Sequence, residues 1–225
     1  MEAFDRAAAL GVDGIELDLH PTVDRKLIVF HDNRLDPSTN MQGPVSGYSF
    51  RELEVSLDLD PSGSRRVPPC TFDQVVARFG DLVISADIKE DLGEESWLEG
   101  DFARIAGEGS QKVVAASFFD PPMARLRREY PEISSAATAF EALGWNLLTR
   151  LGCGVKPGYQ VLSLPLRFLG ASYIDADLVA AAHDDGVALW VWTVNEPVDM
   201  LALAEMGADA VITDFPSLAL EVLGG

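Results

Sequence analysis

Hydrophobic positions along the chain alternate between runs of β-formers with period two and stretches with helical spacing, so strands and helices are predicted in turn. Phe4, Ala7, Ala8 and Leu10 carry a helical spacing that Gly11 stops, and the chain therefore opens inside a helix. Strands are predicted at 12–19, 27–31, 82–88, 112–117, 133–138, 160–165, 187–194 and 209–213. Helices are predicted at 71–79, 97–107, 121–130, 140–151, 175–185, 197–206 and 216–223. Strands separated by helices imply a mostly parallel sheet with helical crossovers, an α/β fold.

The strand at 27–31 breaks this scheme. Only six residues separate Leu19 from Lys26, too few for a parallel crossover, so this strand is expected to pair antiparallel or to lie outside the main sheet. From Asn33 to Pro69 the chain is rich in Pro, Gly, Ser and Asp, with one brief helical pattern at 50–57. This reads as a loop-rich insertion at about 20–70 within a single domain spanning 1–225, ending at Pro68-Pro69 before Thr71 caps the next helix. Subtracting the stray strand leaves about seven parallel strands, one short of the eight in a closed β/α barrel. The missing strand would precede the opening helix.

Two apolar strands end in polar patches, Glu16-Leu17-Asp18 and Asp87-Ile88-Lys89. Alternate side chains of a strand share a face, so Glu16 projects with Asp18 and Asp87 with Lys89. Inward-pointing carboxylates are costly unless paired or bound to metal, which makes a divalent-cation site the cheaper explanation. Asp87 and Lys89 as a structural ion pair, and Glu16 and Asp18 as a solvated strand end, are the plainer alternatives.

Composition narrows the function classes. A hydrophobic content of 48% over 225 residues suits one substantial core. The net charge of -19, from 36 acidic against 17 basic residues, argues against nucleic acid as a partner. Cys70 and Cys153 form no metal or disulfide pattern and read as ordinary thiols. No apolar run approaches the ~20 residues of a membrane span, and the start lacks a basic-then-apolar signal, so a cytoplasmic location is expected.

The ordered motifs MEAFDRAAALGVDGIELDLHPTVD, LIVFHDNRLDPSTN, VISADIK, AASF, LWVWTVNE and GADAVITDFP run over essentially the whole chain. Together they resemble the glycerophosphodiester phosphodiesterases. The resemblance implies a TIM-type β/α barrel of the phospholipase C-like phosphodiesterase kind, and metal-dependent hydrolysis of glycerophosphodiesters to glycerol 3-phosphate and an alcohol, a reaction of glycerol and lipid metabolism. It makes Glu16, Asp18 and Asp87 ligands of Mg²⁺ or Ca²⁺, His31 a catalytic acid or base, and Lys89 the phosphate contact. Trp192 becomes a wall for the alcohol side, and Phe118 borders the pocket. A phospholipase D-type relative acting on lysophospholipids, or a catalytically impaired barrel kept for binding, are the alternative readings.

The chain departs from the family pattern in several places. Asp87 stands where Glu is usual, Asp24-Arg25 where an Asp-Gly turn is usual, and Pro37 where an arginine is usual. The His-Arg pair of the family's first barrel strand has no counterpart after Met1, so the expectation is an N-terminally truncated chain with half its acid/base pair and impaired hydrolysis. Open barrel edges at 12–18 and 209–213 would then favour self-association.

Other polar residues read as structural. His20, directly after the acidic strand, is at most a site-edge residue, and His183 a surface one. Trp190 is expected in the core. Ser117 is no nucleophile, since no Gly-x-Ser-x-Gly elbow occurs, and Thr213-Asp214 is expected to hold structure.

Overall fold

A computed structural model describes residues 1–36, 39–57, 68–109, 112–168 and 171–224. Pro37 and part of the insertion, 58–67, lie outside the described residues. The chain divides into two compact units, Met1–Ala8 with Asp13–Ile133 and Ala9–Val12 with Ser134–Gly225.

The first unit is built from α1 (Glu2–Leu10), β1 (Gly14–Pro21), β2 (Leu27–Val29), α2 (Phe50–Ser56), β3 (Cys70–Thr71), α3 (Phe72–Phe79), β4 (Val83–Ile88), α4 (Leu98–Gly109), β5 (Val113–Ala116) and α5 (Asp120–Glu129). The strands lie in the order β3-β2-β1-β4-β5. β1 runs parallel to β4 and β4 to β5, whereas β2 turns back antiparallel on β1 with Leu19 opposite Val29, as the short connection requires. Gly14 is needed where β1 meets β4, because a Cβ there would stand 2.8 Å from the Val83 carbonyl oxygen.

Strand alternation fixes the packing. Leu17 and Leu19 of β1 and Ile84, Ala86 and Ile88 of β4 are buried. Phe72 of α3 stacks on Phe102 of α4 with ring centroids 5.1 Å apart. α3 starts at Thr71, whose N–H donates to the Gln74 side chain at 3.1 Å.

The described part of the insertion is more ordered than its composition suggests. Ile28, Phe30, Leu35, Val45, Leu53 and Leu57 form a small core of their own. α2 starts in a capping box between Ser49 and Glu52, and β3, too short to show a period, pairs with β2. In the turn after β1, Arg25 adopts φ 58°, the left-handed conformation that a glycine at this position takes at no steric cost.

The second unit comprises β6 (Ser134–Ser135), α6 (Ala139–Arg150), β7 (Val161–Pro165), β8 (Arg167–Phe168), β9 (Ala171–Ser172), α7 (Ala176–Asp184), β10 (Ala188–Trp192), α8 (Pro197–Met206), β11 (Ala210–Val211) and α9 (Pro216–Leu223). β7, β10 and β11 form a parallel sheet with β10 in the centre, and β8 pairs antiparallel with β9, which no sequence period announced. Leu162, Leu164, Leu189 and Val191 pack with Leu178, Val179, Met200 and Leu203 of the helices. Trp190 is a correction: it is half-buried and outside that core, because alternation along β10 gives the helix-packed face to Leu189 and Val191. The Thr213-Asp214 segment is tied to Asn195, with Thr213 Oγ1 donating to Asn195 Oδ1 at 3.0 Å and Asn195 Nδ2 donating to Asp214 at 2.8 Å. No helix among the described residues is long and apolar enough to cross a membrane.

Candidate active site

The two polar patches meet at one end of the β1–β4 pair. Asp18 and Asp87 stand opposite each other in the parallel register. The Lys89 N–H donates to the Leu19 carbonyl at 3.1 Å, which carries the ladder one residue past β4. The Lys89 Nζ is 2.6 Å from Asp18 Oδ1 and 2.6 Å from Asp87 Oδ2. All three side chains are at most 20% exposed. Asp87 Oδ1 is buried without a hydrogen-bond partner.

The electrostatics follow from this packing. Burial raises the pKa of Asp87 against the pull of Lys89. Burial acts to lower that of Lys89, but hydrogen bonds to Asp18 and Asp87 outweigh it and leave the ammonium more strongly held. The Glu16 carboxyl is pushed up to about 7, first by loss of surrounding water and then by the Asp18 and Asp87 carboxylates. Glu16 is nonetheless an exposed residue, which screens the effect, so its place in the cluster rests on the shared face with Asp18.

His31 arrives from the insertion. The Phe30 N–H donates to the Asp18 carbonyl at 3.0 Å, which ties the end of β2 to the acidic end of β1. His31 Nδ1 is 2.8 Å from Asp32 Oδ1, with the imidazole largely exposed. The hydrogen bond to Asp32 is the main cause of its raised pKa. His31, Asp32, Asn33, Lys89, Phe118 and Phe119 line a cleft of about 370 Å³. Lys89 Nζ lies 5.5 Å from the centroid of the Phe118 ring, within cation–π reach.

Ser117 fixes the aromatic side of this cleft. Its Oγ donates to the Ile88 carbonyl at 2.7 Å and accepts from the Phe119 N–H at 3.1 Å.

The residues singled out in the first unit, Glu16, Asp18, Asp87, Lys89, His31 and Phe118, are thus brought together. Trp192 belongs to the second unit, where it lines a cavity of about 420 Å³ with Pro165, Leu166, Arg167 and Glu196. His183, also there, sits 2.9 Å from Asp209.

Several neighbours escaped the sequence reading. β1 continues to Pro21, so His20 lies on the same face as Glu16 and Asp18; it is fully buried, with Nδ1 3.2 Å from Glu90 Oε1 and Nε2 unpartnered. Arg125 of α5 is also buried, and bonds to Glu99 at 2.9 Å and to Asp91 at 2.5 Å, anchoring the loop that follows Lys89. The run Lys89-Glu90-Asp91 was the available signal, but the partners of Glu90 and Asp91 lie 70 and 34 residues away.

The donor set fits a hard divalent cation. Glu16, Asp18 and Asp87 offer oxygen atoms only, and the unpartnered Asp87 Oδ1 is a free lone-pair site. Among the described residues no three His, Cys, Asp or Glu side chains are already grouped to hold an ion, and Lys89 bonds both Asp18 and Asp87.

Comparison with known proteins identifies the family. The glycerophosphoryl diester phosphodiesterase family model matches residues 1–218. A glycerophosphodiester phosphodiesterase of Caldanaerobacter subterraneus subsp. tengcongensis is 28% identical over 232 residues, covering 98% of this chain and 90% of its own. An Oleispira antarctica phosphodiesterase, solved with the product sn-glycerol-3-phosphate, is similar in structure with a TM-score of 0.81 at 18% identity, over 100% of this chain and 90% of that one. A glycerophosphoryl diester phosphodiesterase domain from Mycobacterium tuberculosis gives a TM-score of 0.83 at 20% identity, over 100% of this chain and 92% of that one. The fold class is therefore the TIM-type β/α barrel expected from the motifs. With its model matched across residues 1–218, the chain belongs to the glycerophosphoryl diester phosphodiesterase family.

Proposed function

We propose that this phosphoric diester hydrolase cleaves glycerophosphodiesters to glycerol 3-phosphate and an alcohol, with its chemistry in the cleft beside Lys89. One observation carries the reading: an ammonium held between two strand-end carboxylates faces a cleft whose rim is an Asp-oriented histidine. Lys89 binds a phosphoryl oxygen and offsets its charge. Asp32 holds His31 through Nδ1, which leaves Nε2 to exchange a proton with the attacking or departing oxygen. Phe118 and Phe119 exclude water on one side and pack the alcohol. Glu16, Asp18 and Asp87 are the residues that would hold Mg²⁺ or Ca²⁺, which would withdraw further charge from the phosphoryl group.

The chain has three histidines. His31 is the one that lines the cleft, so it is the proton carrier of the proposed reaction; His20 is buried against Glu90 and His183 sits on Asp209. The expected result is release of glycerol 3-phosphate from glycerophosphocholine with Mg²⁺ or Ca²⁺ present, lowered about 10²- to 10⁴-fold by His31→Ala. A purified chain that releases none with either cation refutes the proposal.

The exposed rings of Phe118 and Phe119 favour a second reading, a lysophospholipase D-type preference, because they offer apolar surface to an acyl chain. A rat relative, 24% identical over 262 residues, bears the name lysophospholipase D. Higher kcat/KM on lysophosphatidylcholine than on glycerophosphocholine would establish that preference. We also propose that both units belong to one barrel domain, for which a single calorimetric transition is the check.

A further inference from the structure

α6 presents an apolar stripe to solvent that the proposed chemistry does not use. The helix is sharply started by a capping box, with the Thr138 N–H donating to Glu141 at 2.8 Å and the Glu141 N–H donating to Thr138 Oγ1 at 3.3 Å. Its inner face is fixed by Trp145, 2% exposed, whose Nε1 donates to Asp185 at 2.7 Å. On the outer face Phe140 is 74% exposed, Leu143 62%, Leu147 58% and Leu151 67%, with Leu148 beside them at 39%. A soluble helix normally turns polar residues outward.

We propose that this stripe is the interface of a two-fold dimer, with α6 of one copy packed antiparallel on α6 of a second copy of the chain. Three observations commit the face to that occupant. The spacing of three, four and four residues from Phe140 to Leu151 is that of a helix–helix seam, in which a partner's side chains fill the holes. The stripe carries no charge, and Arg150, the basic residue of the helix, is drawn aside by Asn146, the Tyr173 carbonyl and Asp175. Helices that lie on bilayers are instead rich in Lys and Arg, and a chain of net charge -19 is repelled by anionic lipid.

The area also suits a second copy. Five large apolar residues at these exposures present on the order of 500 Å², at the upper end of the largest patch on an ordinary monomer. Two copies bury about 1,000 Å², the lower limit of a specific interface, so association at roughly micromolar concentration is expected. A two-fold axis through the stripe brings each Leu147 near its own symmetry mate.

Sedimentation velocity over a range of about 1 to 100 μM tests this. The wild-type chain is expected to pass from monomer to dimer, whereas Leu147→Glu stays monomeric with unchanged far-UV circular dichroism and melting midpoint. An equimolar mixture of Leu147→Glu and Leu147→Lys should dimerise although each alone does not. Should Leu147→Glu fail to fold, the uncharged pair Phe140→Ser with Leu151→Ser gives the same readout from the ends of the stripe. A wild-type chain monomeric at every concentration, a dimer that survives these substitutions, or a monomer that floats with phosphatidylcholine vesicles overturns the proposal.

Discussion

Asp18 and Asp87 face each other across the parallel register of β1 and β4, close enough for one ammonium to bond both at 2.6 Å. Two adjacent, mostly buried carboxylates repel unless a positive charge lies between them. Lys89→Met should therefore cost about 3–5 kcal/mol of stability without divalent cation, since it leaves buried charge uncompensated. Chemical denaturation with and without Mg²⁺ or Ca²⁺ checks this, and the cation should restore part of the loss. Equal destabilisation under both conditions would remove the carboxylates from consideration as ligands.

Glu16 gives the same cluster a pH signature. Its folded-state pKa of about 7 exceeds the ordinary 4.5, so between those values the folded state keeps a proton that the unfolded chain has released. Stability without cation is thus expected to fall as pH rises through this window and then to level off. Asp87, also raised, acts in the same direction. Glu16→Gln should flatten the slope in cation-free denaturation from pH 4 to 8, and an unchanged slope would contradict the assignment.

The His31–Asp32 pair predicts a shift in the activity profile. The hydrogen bond from Asp32 raises the His31 pKa, so Asp32→Asn should move the His31 limb of log kcat/KM towards lower pH. The rate should also fall about tenfold or more, because the imidazole loses its orientation. A profile with the wild-type midpoint would show that His31 titrates independently of Asp32.

Gly14 couples packing to the site. A Cβ at this position meets the Val83 carbonyl at 2.8 Å, so Gly14→Ala forces β1 and β4 apart and should cost about 1–3 kcal/mol. Since Asp18 and Asp87 ride on these strands, the substitution should weaken phosphate binding as well, read as a raised KM. Loss of stability alone would confine the glycine to packing.

Much of this was legible from side-chain period. The alternation that puts Glu16 with Asp18 and Asp87 with Lys89 is a property of any strand, and the strands were long enough to show it. The antiparallel turn of β2 followed from a connection too short to cross over. What stayed hidden was short or distant. β3, β8 and β9 are two residues long and have no period to read. The Asp91–Arg125–Glu99 cluster joins a loop to two helices, and nothing in local spacing tells a buried arginine from a surface one. His20 was set aside because the strand was ended two residues early. The small core of the insertion draws on residues from Ile28 to Leu57, scattered among loop-forming types that mask it.

The two hydrogen bonds of Ser117, to the Ile88 carbonyl and from the Phe119 N–H, have a bearing on how this site can diversify. It fastens the backbone that bears the two aromatic rings to the strand that delivers Asp87 and Lys89. In the proposed site, the recognition of phosphate and the lining of the alcohol pocket would thus share one frame while using separate side chains. A new ring or chain at Phe118 can retune which alcohol is accepted and leave the anion's seat where it was.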